Sequence, residues 1–174
     1  MIKNKYKEDY QRIKAGQYEY VGKHYRLPMD EAQKKRTAVW NFAAAAGFFL
    51  LELAAGLLNA DSSRTAWIVF PYLFMFLPTA YMALGAYAFA GAPIRMEHSA
   101  YENSLVRLRR SVIAIMVLGG ICILLDLIFI AIHFREINLQ KELLYILCFT
   151  LAELLGLCYG KSYDRRFAGL AIEE

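Results

Sequence analysis

Four stretches of this 174-residue chain, 37–59, 65–90, 111–134 and 143–159, contain no lysine or arginine. A soluble surface helix needs a polar face turned to water, so runs this long without a cation exclude ordinary amphipathic helices. Cysteine is scarce. Cys122, Cys148 and Cys158 all fall in apolar runs, with no C-x-x-C spacing. That excludes a disulfide framework and a zinc-type cysteine pair, and leaves small buried apolar residues as the reading. Histidine is limited to His24, His98 and His133, in three separate regions. No H-E-x-x-H, P-loop, G-x-S-x-G or dinucleotide fingerprint occurs, so no catalytic residue, cofactor or metal is expected. No short apolar stretch with a small-residue cleavage site precedes the first long run. That run is therefore expected to serve as its own insertion signal.

What is present is apolar sequence in blocks. Hydrophobic residues make up 58% of the chain, and its mean hydropathy is +0.30. A helix rises ~1.5 Å per residue, so about 20 residues cross a hydrocarbon core of ~30 Å. Leu50-Leu51 and the run 121–132 show none of the alternation of a barrel strand. In lipid the backbone must then satisfy itself as helix. The expected fold class is an all-α membrane protein: a four-transmembrane-helix bundle with a small N-terminal cytoplasmic segment. Residues 1–36 form a basic, tyrosine-rich arm, 37–159 the bundle and 160–174 a cytoplasmic tail.

Orientation follows from the cations. Seventeen of the 20 lysines and arginines flank the spans on one side, and only Arg64, Arg135 and Lys141 lie on the other. The positive-inside rule puts both termini in the cytoplasm and the chain in the plasma membrane. Trp40 and Trp67, near opposite ends of the first pair of spans, suit the two headgroup regions. The net charge of +4 sits beside the spans, so no nucleic-acid partner is expected. The expected partners are the lipid bilayer and a second copy or another membrane protein. In the arm, Tyr6, Tyr10, Ile13 and Tyr18 fit a helical stripe, and 18–27 alternates about Gly22-Lys23 as a hairpin would. Ser99-Ala100-Tyr101-Glu102 reads as a capping box opening the third helix.

Three of the spans hold one acid each: Glu52, Asp126 and Glu153. A charged residue at the centre of a lone span costs ~2.5–3.5 kcal/mol on insertion scales. Counted from the span ends, all three fall in one layer outward of the midplane. Asn41, Ala45, Phe48, Glu52, Ala55 and Asn59 share a face of the first span, and Gly119, Cys122, Asp126, Ile130 and His133 a face of the third. Thr150, Glu153 and Leu157 do so on the fourth, and Thr65, Tyr72, Thr79 and Ala86 recur every seven residues on the second, beside Pro71 and Pro78. No cation within the spans offsets the acids. They therefore carry protons, bind a cation, meet water in a cavity, or pair with a basic partner.

The first expectation is a proton- or cation-linked transporter or transport accessory. Glu52, Asp126 and Glu153 form its binding cluster and His133 relays protons outward. Asn41, Tyr72, Thr79, Cys122 and Thr150 line its cavity. A second is a non-catalytic membrane subunit whose acids or arm dock a larger complex; the structural alternative is that each acid is protonated and hydrogen-bonded to a neighbouring helix, holding the bundle together. A lipid-modifying enzyme is a third, with no positive motif behind it. Small-residue spacings, Gly156 with Gly160 and Ala43 with Gly47, fit close helix packing.

Overall fold

The computed structural model describes residues 9–12 and 18–173. Helices Glu31–Leu57 (α1), Ala66–Gly91 (α2), His98–His133 (α3) and Leu139–Phe167 (α4) are each long and apolar enough to cross a membrane. They pack as a closed ring, α1 on α2, α2 on α3, α3 on α4 and α4 back on α1. One end of the ring carries the connections 58–65 and 134–138 and is called here the loop end. The other carries the terminal segments and five short strands, and is the sheet end.

α1, α3 and α4 run past their expected spans at the sheet end, and α2 matches its own to within a residue. α1 starts at Glu31 because Asp30 closes a capping box: the Gln33 N–H donates to Asp30 Oδ1 at 2.7 Å, and the Asp30 N–H to Gln33 Oε1 at 3.2 Å. It stops short of Asn59, which takes a positive φ of 45° and turns the chain away. Pro71 and Pro78 both lie inside α2. Their missing N–H groups leave one unpaired carbonyl each, and the helix continues through them. α3 begins at His98 rather than at a Ser99 cap. Ser99 lies within its first turn, and a π-turn at Glu102–Val106 follows.

The outward faces are apolar on all four helices. Leu50 is 61% exposed, Leu77 64%, Val117 57% and Leu154 52%. A water-soluble bundle would present charge at such positions, so the ring is that of a multi-pass membrane protein. Inside, Phe48, Met75, Met82, Ile115, Phe149 and Tyr145 are fully buried. Lipid tails are as apolar as these side chains, so close packing and interhelical hydrogen bonds, not burial from water, hold the ring together.

The sheet end corrects the expected hairpin. Tyr18–Tyr20 (β2) pairs antiparallel with Tyr10–Arg12 (β1), where a helical stripe had been predicted. Tyr6 and Ile13 lie outside the described residues. His24–Arg26 (β3) does not pair with β2. It is the central strand between Arg95–Glu97 (β4) and Ala171–Glu173 (β5), with Tyr25 opposite both Met96 and Ile172. In the stretch expected as a C-terminal tail, α4 runs on to Phe167 and β5 closes the sheet. The reason is lateral support. A lone two-stranded ribbon is marginal, whereas β3 gains a partner on each side and stacks Tyr25 on Tyr101 of α3 at 4.1 Å. The Tyr10 hydroxyl donates to Glu97 Oε2 at 2.7 Å and ties the ribbon to the sheet.

Candidate functional site

The three intramembrane acids do not meet in one cluster. Each has found a separate environment.

Glu52 is 1% exposed, between α1 and α2. The Thr79 hydroxyl donates to its Oε1 at 2.5 Å, and Oε2 has no hydrogen-bond partner. The Tyr72 hydroxyl donates to the Glu52 backbone carbonyl at 3.2 Å. That contact depends on Gly56, one turn on, since a Cβ there would collide with the Tyr72 hydroxyl. On its other side Thr79 faces an open cleft of about 550 Å³ between α1 and α2. The rest of the cleft wall is apolar: Phe42, Ala45, Ala46, Phe49, Phe76, Ala80 and Ala83. Thr79 thus separates a lipid-facing apolar groove from a buried carboxyl group.

Asp126 is fully buried nearer the loop end. Its neighbours are Ser62 of the 3-10 turn Ser62–Arg64 and Glu142 of the first turn of α4. Glu142, also fully buried, accepts the Asp61 N–H at 2.7 Å and the Ser62 N–H at 3.2 Å, both on Oε1. The Asn138 N–H donates to Asp61 Oδ2 at 2.9 Å, so the two end loops interlock. Both Asp126 oxygens, Glu142 Oε2 and Ser62 Oγ lack hydrogen-bond partners. Two acids and a hydroxyl therefore converge in an enclosed space. Among the described residues no Lys or Arg pairs with either acid.

Glu153 is only half-buried, and its carboxyl lies over Gly119, where a Cβ would come within 2.5 Å of Oε1. Gly119 leaves the slot it occupies, and the Gly120 backbone lies within hydrogen-bonding reach of the carboxyl. The face predicted for the fourth span is off by one residue. The buried stripe of α4 is Glu142, Tyr145, Phe149, Ala152, Gly156 and Tyr159, which places Thr150 and Leu157 on the exposed side. Thr150 is exposed on the outer face, and its hydroxyl donates back to the Ile146 carbonyl at 2.9 Å. His133 lies on its own helix, stacked on Phe129 at 4.5 Å with Nδ1 beside the Phe129 carbonyl, away from Asp126. Ile130 is likewise half-exposed; Phe129 takes the inward place beside Asp126.

The remaining predicted lining residues are inside. Asn41 is buried and accepts the Tyr159 hydroxyl at 3.0 Å across α1 and α4. Cys122 is buried 3.9 Å from the Met75 sulfur and within electrostatic reach of both Asp126 and Glu52. Tyr145 likewise lies between Tyr72 and the Asp126–Glu142 pair. The core therefore holds a polar column: Ser62, Glu142 and Asp126 at the loop end, then Cys122 and Tyr145, then Tyr72, Glu52 and Thr79. The residues that sequence reasoning missed are Glu142 and Ser62. The available signal for Glu142 was its heptad phase with Tyr145, Phe149, Ala152, Gly156 and Tyr159.

Among the described residues no group of three or more His, Cys, Asp and Glu side chains is placed to hold a metal ion. Searches against protein-family models, curated proteins and solved structures find no match to this chain.

Proposed function

We propose that this multi-pass membrane protein is a proton-linked carrier, or carrier accessory, for an amphiphilic organic cation, with Glu52 as its binding carboxyl. One observation carries the reading. Glu52 has an unpartnered, buried Oε2, and Thr79, which holds its Oε1, forms the floor of an apolar cleft about 550 Å³ in size. A lipophilic cation partitions into such a groove by its apolar body, and its charge then needs a counter-ion in low dielectric. Rotation of Thr79 would expose the carboxyl. Cation and proton compete for one site: the protonated acid gives up H⁺ as the ion pair forms, and takes it back on release. The Asp126–Glu142 pair, in the same column, is a second station for a proton or small cation near the loop end. The cation bias across the two ends puts both termini in the cytoplasm and the loop end outside.

The test is binding of tetraphenylphosphonium to the purified full chain, followed by uptake into proteoliposomes under a pH gradient. Saturable binding that releases about one proton per cation supports the reading, together with loss of both signals in Glu52→Gln and their retention in Glu153→Gln. Unchanged binding and uptake in Glu52→Gln overturn it. No binding, with co-purification of a defined membrane partner that Glu52→Gln releases, supports the docking-subunit alternative.

A further inference from the structure

At the sheet end, the first turns of α1 and the last turn of α4 enclose a pocket of about 340 Å³ walled by Gln33, Arg36, Thr37, Arg165 and Arg166, with Pro28 and Met29 at its edge. Three guanidinium groups converge there, and among the described residues none of them is ion-paired. Arg166 lies 5.8 Å from the centre of the Trp40 ring, and its Nη1 is buried without an acceptor. The Trp40 Nε1 is buried without an acceptor as well. Gln33 Oε1 is already engaged by the Asp30 N–H, which leaves the Gln33 side-chain NH2 as a further donor. The pocket is therefore donor-rich and positively charged, and one of its donors, Arg166 Nη1, is withdrawn from solvent with nothing to accept it. An arrangement of that kind is complete only with an oxyanion bound.

Its depth selects the source of that anion. Arg36 is the last cation before the apolar stretch 37–59, and Trp40, one turn further, is the residue type that sits at headgroup level. On the membrane side of the pocket, α1 presents exposed apolar surface, with Val39 68% exposed. A ligand with a phosphate in the pocket has a lipid-facing wall along which to lay acyl chains.

We propose that Arg36, Arg165 and Arg166, with Gln33, form a binding site for the phosphate of an anionic phospholipid at the α1–α4 seam, with the Trp40 ring beneath Arg166. The bound headgroup bridges the first and last helices of the ring. It thereby supports the one seam joined by helices distant in sequence. This site is independent of Glu52 and stands or falls separately from the carrier reading.

The experiment uses the full chain in neutral detergent micelles. Thermal unfolding and native mass spectrometry are followed on addition of phosphatidylglycerol, phosphatidylcholine or inorganic phosphate. The expected result is a saturable rise in Tm and retained lipid adducts with phosphatidylglycerol, and neither with phosphatidylcholine or inorganic phosphate. Arg36→Gln and Arg165→Gln should each weaken phosphatidylglycerol binding about tenfold, the scale of one lost charge-assisted hydrogen bond. Arg166→Lys, which keeps the charge but not the planar fork, should weaken it less than Arg166→Gln. The control is Arg110→Gln, an exposed cation of the same helix end outside the pocket, which should bind as the parent does. Arg36 and Arg165 are both exposed, so their variants should fold with an unchanged lipid-free Tm. Equal weakening by Arg110→Gln overturns the proposal in favour of diffuse surface charge. Full competition by inorganic phosphate also overturns it, in favour of a soluble phosphate compound.

Discussion

Replacing Thr79 by valine removes the one side-chain donor to the Glu52 carboxyl among the described residues while keeping nearly the same shape. In the parent, the Thr79 hydroxyl satisfies Oε1, and the other carboxyl oxygen has no partner at 1% exposure. After the change, neither oxygen has one. Leaving a buried polar group without its partner costs about 1–3 kcal/mol, and the new methyl adds no void to raise that figure. The loss should thus fall at roughly 1–3 kcal/mol, a factor of about 5 to 150 in the folding equilibrium. The assay is reversible unfolding in mixed micelles of a denaturing and a mild detergent, run on Thr79→Val, Glu52→Gln, Glu52→Leu and the Thr79→Val/Glu52→Leu double variant. Gln still accepts from Thr79 through its carbonyl oxygen, so Glu52→Gln should be milder than Thr79→Val. Glu52→Leu should lose most of its effect when Thr79 is already valine, because the two side chains then no longer depend on each other. A Thr79→Val loss below about 0.5 kcal/mol, the scale of an uninvolved surface change, would refute the Thr79–Glu52 contact and the gate built on it.

Gly56→Ala should destabilise by about 1–3 kcal/mol through overpacking against Tyr72, and Tyr72→Phe in the same chain should restore part of that, since the nearest clash is with the hydroxyl; unfolding midpoints of the two variants check this. Glu142→Leu removes the acceptor of both the Asp61 and the Ser62 N–H; those amides should exchange with deuterium much faster, while amides of α1 near Asn41 keep their protection. The Tyr10 phenol, bonded to Glu97 and partly buried, is pushed up from 10.0 to about 12. A proton-bearing form held in the fold contributes stability fully below pH 10 and loses it as pH rises to about 12, so the ribbon should detach in that interval. Tyrosinate absorbance of the parent minus that of Tyr10→Phe reads this transition, and a difference titration at the ordinary phenol value would contradict it.

How far the sequence could be read depends on contrast. On α1 a small number of polar residues stand out against an apolar background, and the stripe from Asn41 through Ala45, Phe48 and Glu52 to Ala55 is the buried face in the structure. The stripe ends there because the helix does: Asn59, exposed at positive φ, is already outside it. On α4 nearly every residue between Leu143 and Cys158 is apolar, apart from Thr150, Glu153 and Gly156, so hydrophobic periodicity sets no phase. Assuming that the acid points inward puts the phase one residue out. The heptad of large and small residues, Tyr145, Phe149, Ala152, Gly156 and Tyr159, is the better guide. It reflects packing, with Gly156 seated under Met116, and packing decides helix faces in lipid. Glu142 was hidden for the opposite reason. Flanked by Lys141 and a polar loop, it reads as a solvated acid, and only the tertiary fold lays the Asp61 and Ser62 amides against it. Its heptad phase with Tyr145 and Phe149 marks it as inward, but nothing local marks the amides that hold it, because they lie 80 and 81 residues away. The strands repeat the lesson. β3 takes partners more than 60 residues distant on both sides over a local turn at Gly22-Lys23, because a central strand satisfies both backbone edges and a hairpin strand only one. The four spans were therefore readable from the sequence, but the level and the partners of each buried acid were not: Asp126 sits with Ser62 and Glu142 near the loop end, while Glu153 lies over Gly119, two turns further along α3. A threonine holds Glu52, a hydroxyl and a second acid border Asp126, and a glycine slot takes Glu153, so three acids placed alike by counting along their spans need not share a pocket.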